Sequence, residues 1–378
     1  MNITENLTPF SPEELFSYAN RENNKKRAGL IVNHLQAKHI PADPDKTFSL
    51  FNMLAERIKS SSENEKILVI GFAETATAIG AAVSVYLGNC TYIHTSREAI
   101  APELRVADFS EEHSHATEQN LFSANGRDIF RGITKIIFAE DELTTGKTIL
   151  NFINVIKNIT DEGCRFGAAS IINGMGPENM ELYRSLGIEL FYLIKLDNSL
   201  PALNTEMTID QLPDVIPSPD NKPDTIYADY NCDPRLGVSA DEYYQICRNA
   251  AEQSYEQLRS MLSDCKTVDV IGTEECMYPA IILAAYLKEK GFDTTSHSTT
   301  RSPIVPSDNK NYPLISRCRL KSFYDRERAT FIYNMYDCNM TILITDADSP
   351  DDITLSEFAS VMRSKKKAAV LLKNGGLR

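Results

Sequence analysis

The stretch from Lys135 to Thr148, KIIFAEDELTTGKT, constrains what this chain can fold into more than any other. Ile136, Ile137, Phe138 and Ala139 form an unbroken apolar run, the pattern of a strand buried on both faces in a parallel sheet. Two acids follow, Glu140 and Asp141, and then a small polar loop, Thr144, Thr145, Gly146, Lys147 and Thr148. Ile149, Leu150, Phe152, Ile153 and Ile156 recur after it at helical spacing. A strand that ends in a Gly/Thr loop and opens a helix makes an anion cradle. The backbone N–H groups and the positive end of the helix dipole face the same point.

The GKT ending invites comparison with the triphosphate-binding P-loop. That motif needs a glycine five positions before its second glycine, and Asp141 stands there. An acid pair repels a triphosphate. It suits a ligand with a phosphate at one end and a diol beside it, since carboxylates accept hydrogen bonds from adjacent hydroxyls, directly or through a metal. A phosphate and a ribose diol together describe a pentose 5-phosphate. The plainer alternative is an ordinary strand-to-helix turn whose acids merely solvate the strand end.

Strand, acid pair, two residues and then T-T-G-x-T resemble the 5-phosphoribosyl-1-pyrophosphate (PRPP) motif of the type I phosphoribosyltransferases. The resemblance implies that Thr144, Thr145, Gly146, Lys147 and Thr148 bind the 5-phosphate. It gives Glu140 and Asp141 the ribose diol and the catalytic role, with Mg²⁺ near them neutralising the departing pyrophosphate. The reaction implied is displacement of pyrophosphate from C1 of the ribose by a base-like acceptor that the sequence does not identify.

Composition narrows the class. Lys and Arg total 39 against 52 Asp and Glu, a net charge of −13, which argues against nucleic acid or an anionic membrane surface as a partner. The N-terminal segment MNITENLTPFSPEEL is polar and reads as no signal peptide, and no apolar run approaches the ~18 residues of a membrane span. The 8 cysteines are scattered without C-x-x-C pairs and read as reduced thiols. A cytoplasmic enzyme is therefore expected. The 378 residues suit about two domains.

Residues 12 to 19 are predicted as a short helix, and Leu30, Ile31 and Val32 as a strand or an irregular lead-in. By spacing alone Lys38 and His39 belong to a solvated loop turned by Pro41. The basic NKKR segment followed by K-H-x-P, however, resembles the N-terminal part of a phosphoribosyltransferase family linked with tellurite-resistance gene clusters. That resemblance implies lid, acceptor or pyrophosphate contacts for Lys38 and His39. A second strand–loop–helix unit runs from Lys66 through Gly71 to the turn Ala73, Glu74 and Thr75, whose small residues let backbone approach a ligand. In phosphoribosyltransferases the corresponding loop holds pyrophosphate, which implies this role for Ala73, Glu74 and Thr75. Arg97, just past the next strand end, could pair with pyrophosphate or with Glu98. The polar segment FSEEHSHATEQNLF carries His113 and His115 and reads as a lid, a surface loop or a weak metal site; the family resemblance favours the lid.

After strands at Arg165–Asn173 and 188–194, with a helix between them, the composition shifts to Pro, Asp and Asn. The expected division is a catalytic α/β domain over 1–200 and a crossing segment over 201–235. A second α/β domain follows over 236–378. That last part repeats the first in outline: VDVIGTEECMYPAIILAAYLKEKG parallels ILVIGFAETATAIGAAVSVYLGN, SHSTTRSPI parallels IHTSREAI, and MTILITDAD parallels KIIFAEDEL. Its acids, Asp346 and Asp348, are followed by nothing like T-T-G-x-T. Thr299-Thr300-Arg301-Ser302-Pro303 matches the motif that names the TRSP domain, found C-terminal to the same phosphoribosyltransferase family. Arg301 and Ser302, with Arg317, Arg319, Arg326 and Arg328 nearby, read either as an anion site or as surface ion pairs. The fold class expected is thus a type I phosphoribosyltransferase-like parallel sheet followed by a degenerate copy without the phosphate loop. Such enzymes commonly pair subunits, so a homodimer or a pseudo-dimer within one chain is expected. The alternative function is a module that senses PRPP without turning it over.

Overall fold

The computed structural model describes residues 3–22, 29–98, 100–109, 119–197, 221–348 and 350–373. Contacts divide the chain into two compact units. One comprises residues 1–9, 48–199 and 232–245; the other comprises 10–47, 200–231 and 246–378. Among the described residues no helix is long and apolar enough to cross a membrane, and the eight cysteines carry free thiols.

The first unit is built on a seven-stranded sheet. Its order is Ile3–Asn6, Glu189–Leu196, Arg165–Asn173, Lys135–Leu143, Ile67–Gly71, Thr91–His94, Val238–Ser239. The five inner strands run parallel and the two short edge strands antiparallel. The apolar runs explain the arrangement: Ile136 to Ala139 and Leu68 to Ile70 are fully buried, which requires cover on both faces. Helices Thr77–Leu87, Lys147–Ile156 and Pro177–Ser185 lie in the connections between parallel strands. Gly71 and Gly80 allow helix Thr77–Leu87 to cross close to the sheet, since a Cβ on Gly80 would stand 3.0 Å from the Gly71 Cα. Lys135 opens the central strand at the end opposite its acids. Its buried ammonium is held by Ser61, Ser62 and Glu189, so it anchors the sheet and lies away from the strand ends where ligands collect.

The second unit has a five-stranded, all-parallel sheet in the order Asp224–Asp229, Lys366–Lys373, Met340–Thr345, Thr267–Gly272, Asp293–Ser298. The end of the predicted crossing segment thus forms a strand of its own. The segment 10–47 packs into this unit as well. There the predicted helix over 12–19 stops at Leu15, capped by Ser11 and Glu14. Phe16–Asn20 continues as a strand paired with Gly29–Asn33. Aromatic Phe16 and Tyr18 favour the extended form, and the pairing decides.

Candidate active site

In the first sheet, strand Ile67–Gly71 is followed outward by Thr91–His94, and the chain then returns to lay Lys135–Leu143 on its other side. The direction of winding reverses between these neighbours, and open α/β sheets bind ligands at the carboxyl ends of strands at such a switch point. Strand Lys135–Leu143 is long. It pairs with Ile67–Gly71 only as far as Ala139 but with Arg165–Asn173 as far as Leu143. Glu140 and Asp141 therefore project past the end of one neighbour and are half-buried.

The loop after the acids is built around Gly146, at φ 74° and ψ 0°. This left-handed conformation is open to glycine and costly for other residues. Space also excludes a side chain: a Cβ there would lie 2.5 Å from the Tyr183 Oη. That hydroxyl donates to the Gly146 carbonyl at 2.6 Å. Tyr183 comes from helix Pro177–Ser185, is fully buried, and was not among the sequence-predicted residues. Burial, and then the charge of Glu140, push its phenol well above the usual range, so it stays protonated and keeps donating. Tyr183→Phe is expected to cost about 1 kcal/mol of stability, the worth of one such bond, measured by urea unfolding. The helix that Gly146 opens, Lys147–Ile156, has no side-chain cap. It is held by Ile149, Phe152, Ile153 and Ile156 in the core, where Phe152 and Phe138 meet edge to face at 5.7 Å. Its N-terminus and dipole thus face the end of the acid-bearing strand.

The second loop is tied to the same strand ends. Phe72 N donates to Ala139 O at 3.1 Å, and Ala73 N to Thr95 Oγ1 at 2.8 Å. Thr95 in turn donates to Gln119 at 2.5 Å. The Ala73–Glu74 peptide is cis, and Glu74 is buried. Arg97, two residues beyond Thr95, is half-buried. The wiring therefore gathers Ala73, Glu74, Thr75, Arg97, Glu140, Asp141 and Thr144 to Thr148 at the carboxyl ends of three adjacent inner strands of one sheet. Thr95 and Gln119, which brace the loop, carried no motif signal.

The remaining predicted residues are not part of the first unit's described strand ends. His113 and His115 fall outside the described residues. Lys38 and His39 belong to the second unit. Lys38 is buried and donates to the carbonyls of Glu274 and Thr299, each at 3.2 Å. His39 packs edge-on to Tyr333 at 6.0 Å. Arg301 pairs with Glu274 at 2.7 Å. Ser302 lies in the backbone of that turn, its carbonyl accepting from Tyr333 at 2.7 Å. Among the nearby arginines, Arg317 pairs with Glu22 at 2.5 Å, Arg326 with Asp351 and Arg328 with Glu274.

A family model described as phosphoribosyl transferase matches residues 15–199, and the model of the TRSP domain, which lies C-terminal to that family, matches 233–361. The chain carries a phosphoribosyl transferase domain followed by a TRSP domain. By class it is a phosphoribosyltransferase, a pentosyltransferase. Among solved structures it is similar to adenine phosphoribosyltransferase from Rhodothermus marinus, at 14% identity and a TM-score of 0.37, over 49% of this chain and 96% of that one. It is also similar to the adenine enzyme from Trypanosoma brucei, at 13% identity and a TM-score of 0.37, over 53% and 88%. The orotate phosphoribosyltransferase from Aeropyrum pernix matches at 18% identity and a TM-score of 0.28, over 41% and 73%. No curated protein matches the chain. Likeness at these levels assigns no residue roles in this phosphoribosyltransferase.

Proposed function

We propose that the first unit transfers the 5-phosphoribosyl group of PRPP to a base-like acceptor and releases pyrophosphate. The observation that carries this reading is the pairing of an acid-ended strand with a loop whose Gly146 has no room for a side chain. Anion-binding backbone and diol-binding carboxylates then lie in sequence along one strand end. The 5-phosphate would sit on Thr144 to Thr148, the diol on Glu140 and Asp141, and the pyrophosphate against Ala73 to Thr75 and Arg97.

Among the described residues no group of three or more His, Cys, Asp or Glu side chains is placed to hold a metal ion. Mg²⁺ is characteristically held by one or two carboxylates together with substrate phosphates, so Glu140 and Asp141 fit it. When bound, it would neutralise charge on the departing pyrophosphate. The protein's own contribution is positioning and fixed dipoles. Bond breaking at C1 leaves positive charge on the ring, and the carboxylates beside the diol are placed by this reading to stabilise it.

The test is pyrophosphate release from PRPP and Mg²⁺ across a panel of nucleobases and small heterocyclic carboxylates. Release with at least one acceptor is expected. PRPP binding without release across the whole panel would contradict transfer and favour a sensing role.

A further inference from the structure

The two units correspond hydrogen bond by hydrogen bond at their strand ends. In the first, Phe72 N donates to Ala139 O (3.1 Å), Ala73 N to Thr95 Oγ1 (2.8 Å) and Thr95 N to Gly71 O (2.9 Å). In the second, Thr273 N donates to Ile344 O (3.1 Å), Glu274 N to Thr299 Oγ1 (3.0 Å) and Thr299 N to Gly272 O (2.9 Å). The register makes Glu274 the counterpart of Ala73, Arg301 of Arg97 and Asp346 of Asp141. It extends further. Ser96 and Asn120 form an isolated bridge, and so do Thr300 and Phe331. Hairpin Arg317–Lys321 with Ala329–Tyr333 is therefore the counterpart of Arg105–Phe109 with Gln119–Phe122.

Where the first unit has the methyl group of Ala73, the second has a carboxylate, and that carboxylate is clamped. The Glu274 side chain is fully buried. Its Oε2 accepts from Arg301 Nε at 2.7 Å and Arg328 Nη2 at 3.0 Å, and its Oε1 from Ser322 Oγ at 2.5 Å. The residue is held at φ 44°, a left-handed conformation that favours glycine. Lys38 pins its carbonyl. Tyr324, in the hairpin turn, bonds Thr273 at 2.9 Å and also reaches Asp346. Two guanidinium groups and a hydroxyl converging on one buried oxyanion is the donor set of a phosphate site. Arg328 also lines an open groove of about 300 Å³ with Arg319, Lys321 and Arg326, in the company of Glu327 and Glu357.

We propose that Arg301, Arg328 and Ser322 form an anion site of the phosphate class, which the chain fills with its own Glu274 carboxylate. The arginine of the TRSP motif is then a positioning residue. It holds an internal substitute for the anion, while Arg328 and Ser322, on the same carboxylate, tie the hairpin turn over the strand ends. An external phosphate or pyrophosphate binds there only when the carboxylate is removed or displaced.

Glu274→Gly tests this in the full chain, because the backbone conformation suits glycine and the whole side chain is removed from between the two arginines. Inorganic pyrophosphate is the probe, read by thermal unfolding and by calorimetric titration. The variant is expected to melt lower than the wild type and to recover that loss in pyrophosphate. It should bind one more equivalent per chain than the wild type, and the extra site should vanish in the Glu274→Gly, Arg301→Ala double variant. Glu274→Gln, which keeps the bulk, is expected to melt lower without gaining the site. If Glu274→Gly does not fold in buffer, refolding in pyrophosphate is expected to rescue it, and failure of that rescue overturns the proposal. So does an unchanged stoichiometry, or an extra site that survives Arg301→Ala. These readouts do not depend on turnover by the first unit.

Discussion

Asp141→Asn is expected to lower PRPP-dependent pyrophosphate release by about 10²–10³-fold, the range for removing one preorganised electrostatic contact from a transition state. The side chain projects past the end of strand Ile67–Gly71 and is half-buried. The amide keeps its shape but loses the negative charge that would face the ring cation and the hydroxyls. Folding should barely respond. The change is isosteric, so its cost in folding should fall at or below the ~1 kcal/mol typical of point substitutions. A loss of activity with an unchanged urea midpoint is therefore the expected pair of results. Loss of both together would make Asp141 a folding residue.

Gly146→Ala is expected to act on both stability and binding. A side chain at φ 74° costs ~1–2 kcal/mol. The Cβ would also press on the Tyr183 ring and hydroxyl, and overpacking of this kind costs roughly 1–3 kcal/mol. Together the loss should be about 3 kcal/mol in urea unfolding. Any relief requires Tyr183 to leave the Gly146 carbonyl, which shifts the loop. PRPP affinity should therefore fall as well, more than in Tyr183→Phe, where the loop conformation stays open to glycine. Equal effects of the two substitutions on affinity would show that loop shape does not matter.

Much of this was readable from residues. Ile136 to Ala139 could only be a buried strand, and Gly146 in T-T-G-K-T signalled the turn that the backbone adopts. The repeated Ile-Gly pairs at 70–71 and 271–272 belonged to the internal repeat, and each glycine lets the following segment pack close to its strand. What stayed hidden depends on contacts between residues far apart in sequence. Tyr183 sits on a mostly polar helix, and nothing in PENMELYRS says that its hydroxyl reaches back to residue 146. Thr95 and Gln119 look like ordinary polar residues until they are seen bracing Ala73. Strands Ile3–Asn6 and Val238–Ser239 are too short and too exposed for an alternating pattern to stand out.

The second unit shows the same limit. The sequence suggested that Asp346 and Asp348 preserve the acid pair, whereas the hydrogen-bond register within each sheet makes Thr345 the equivalent of Glu140 and Asp346 that of Asp141. Its next helix is capped by Asp351, which accepts from Thr354 N at 2.7 Å. An acid thus occupies the helix N-terminus where the first unit opens with Gly146. That explains physically why T-T-G-x-T has no counterpart. The same unit's arginines read either as an anion site or as surface ion pairs, and Arg301 and Arg328 are committed to the buried carboxylate of Glu274.

Calorimetric titration of the wild-type chain with PRPP and Mg²⁺ tests the account most directly. One equivalent should bind per chain, with affinity reduced in Gly146→Ala and unaffected in Arg301→Ala. Absence of binding, or a single site lost in Arg301→Ala and retained in Gly146→Ala, would contradict it.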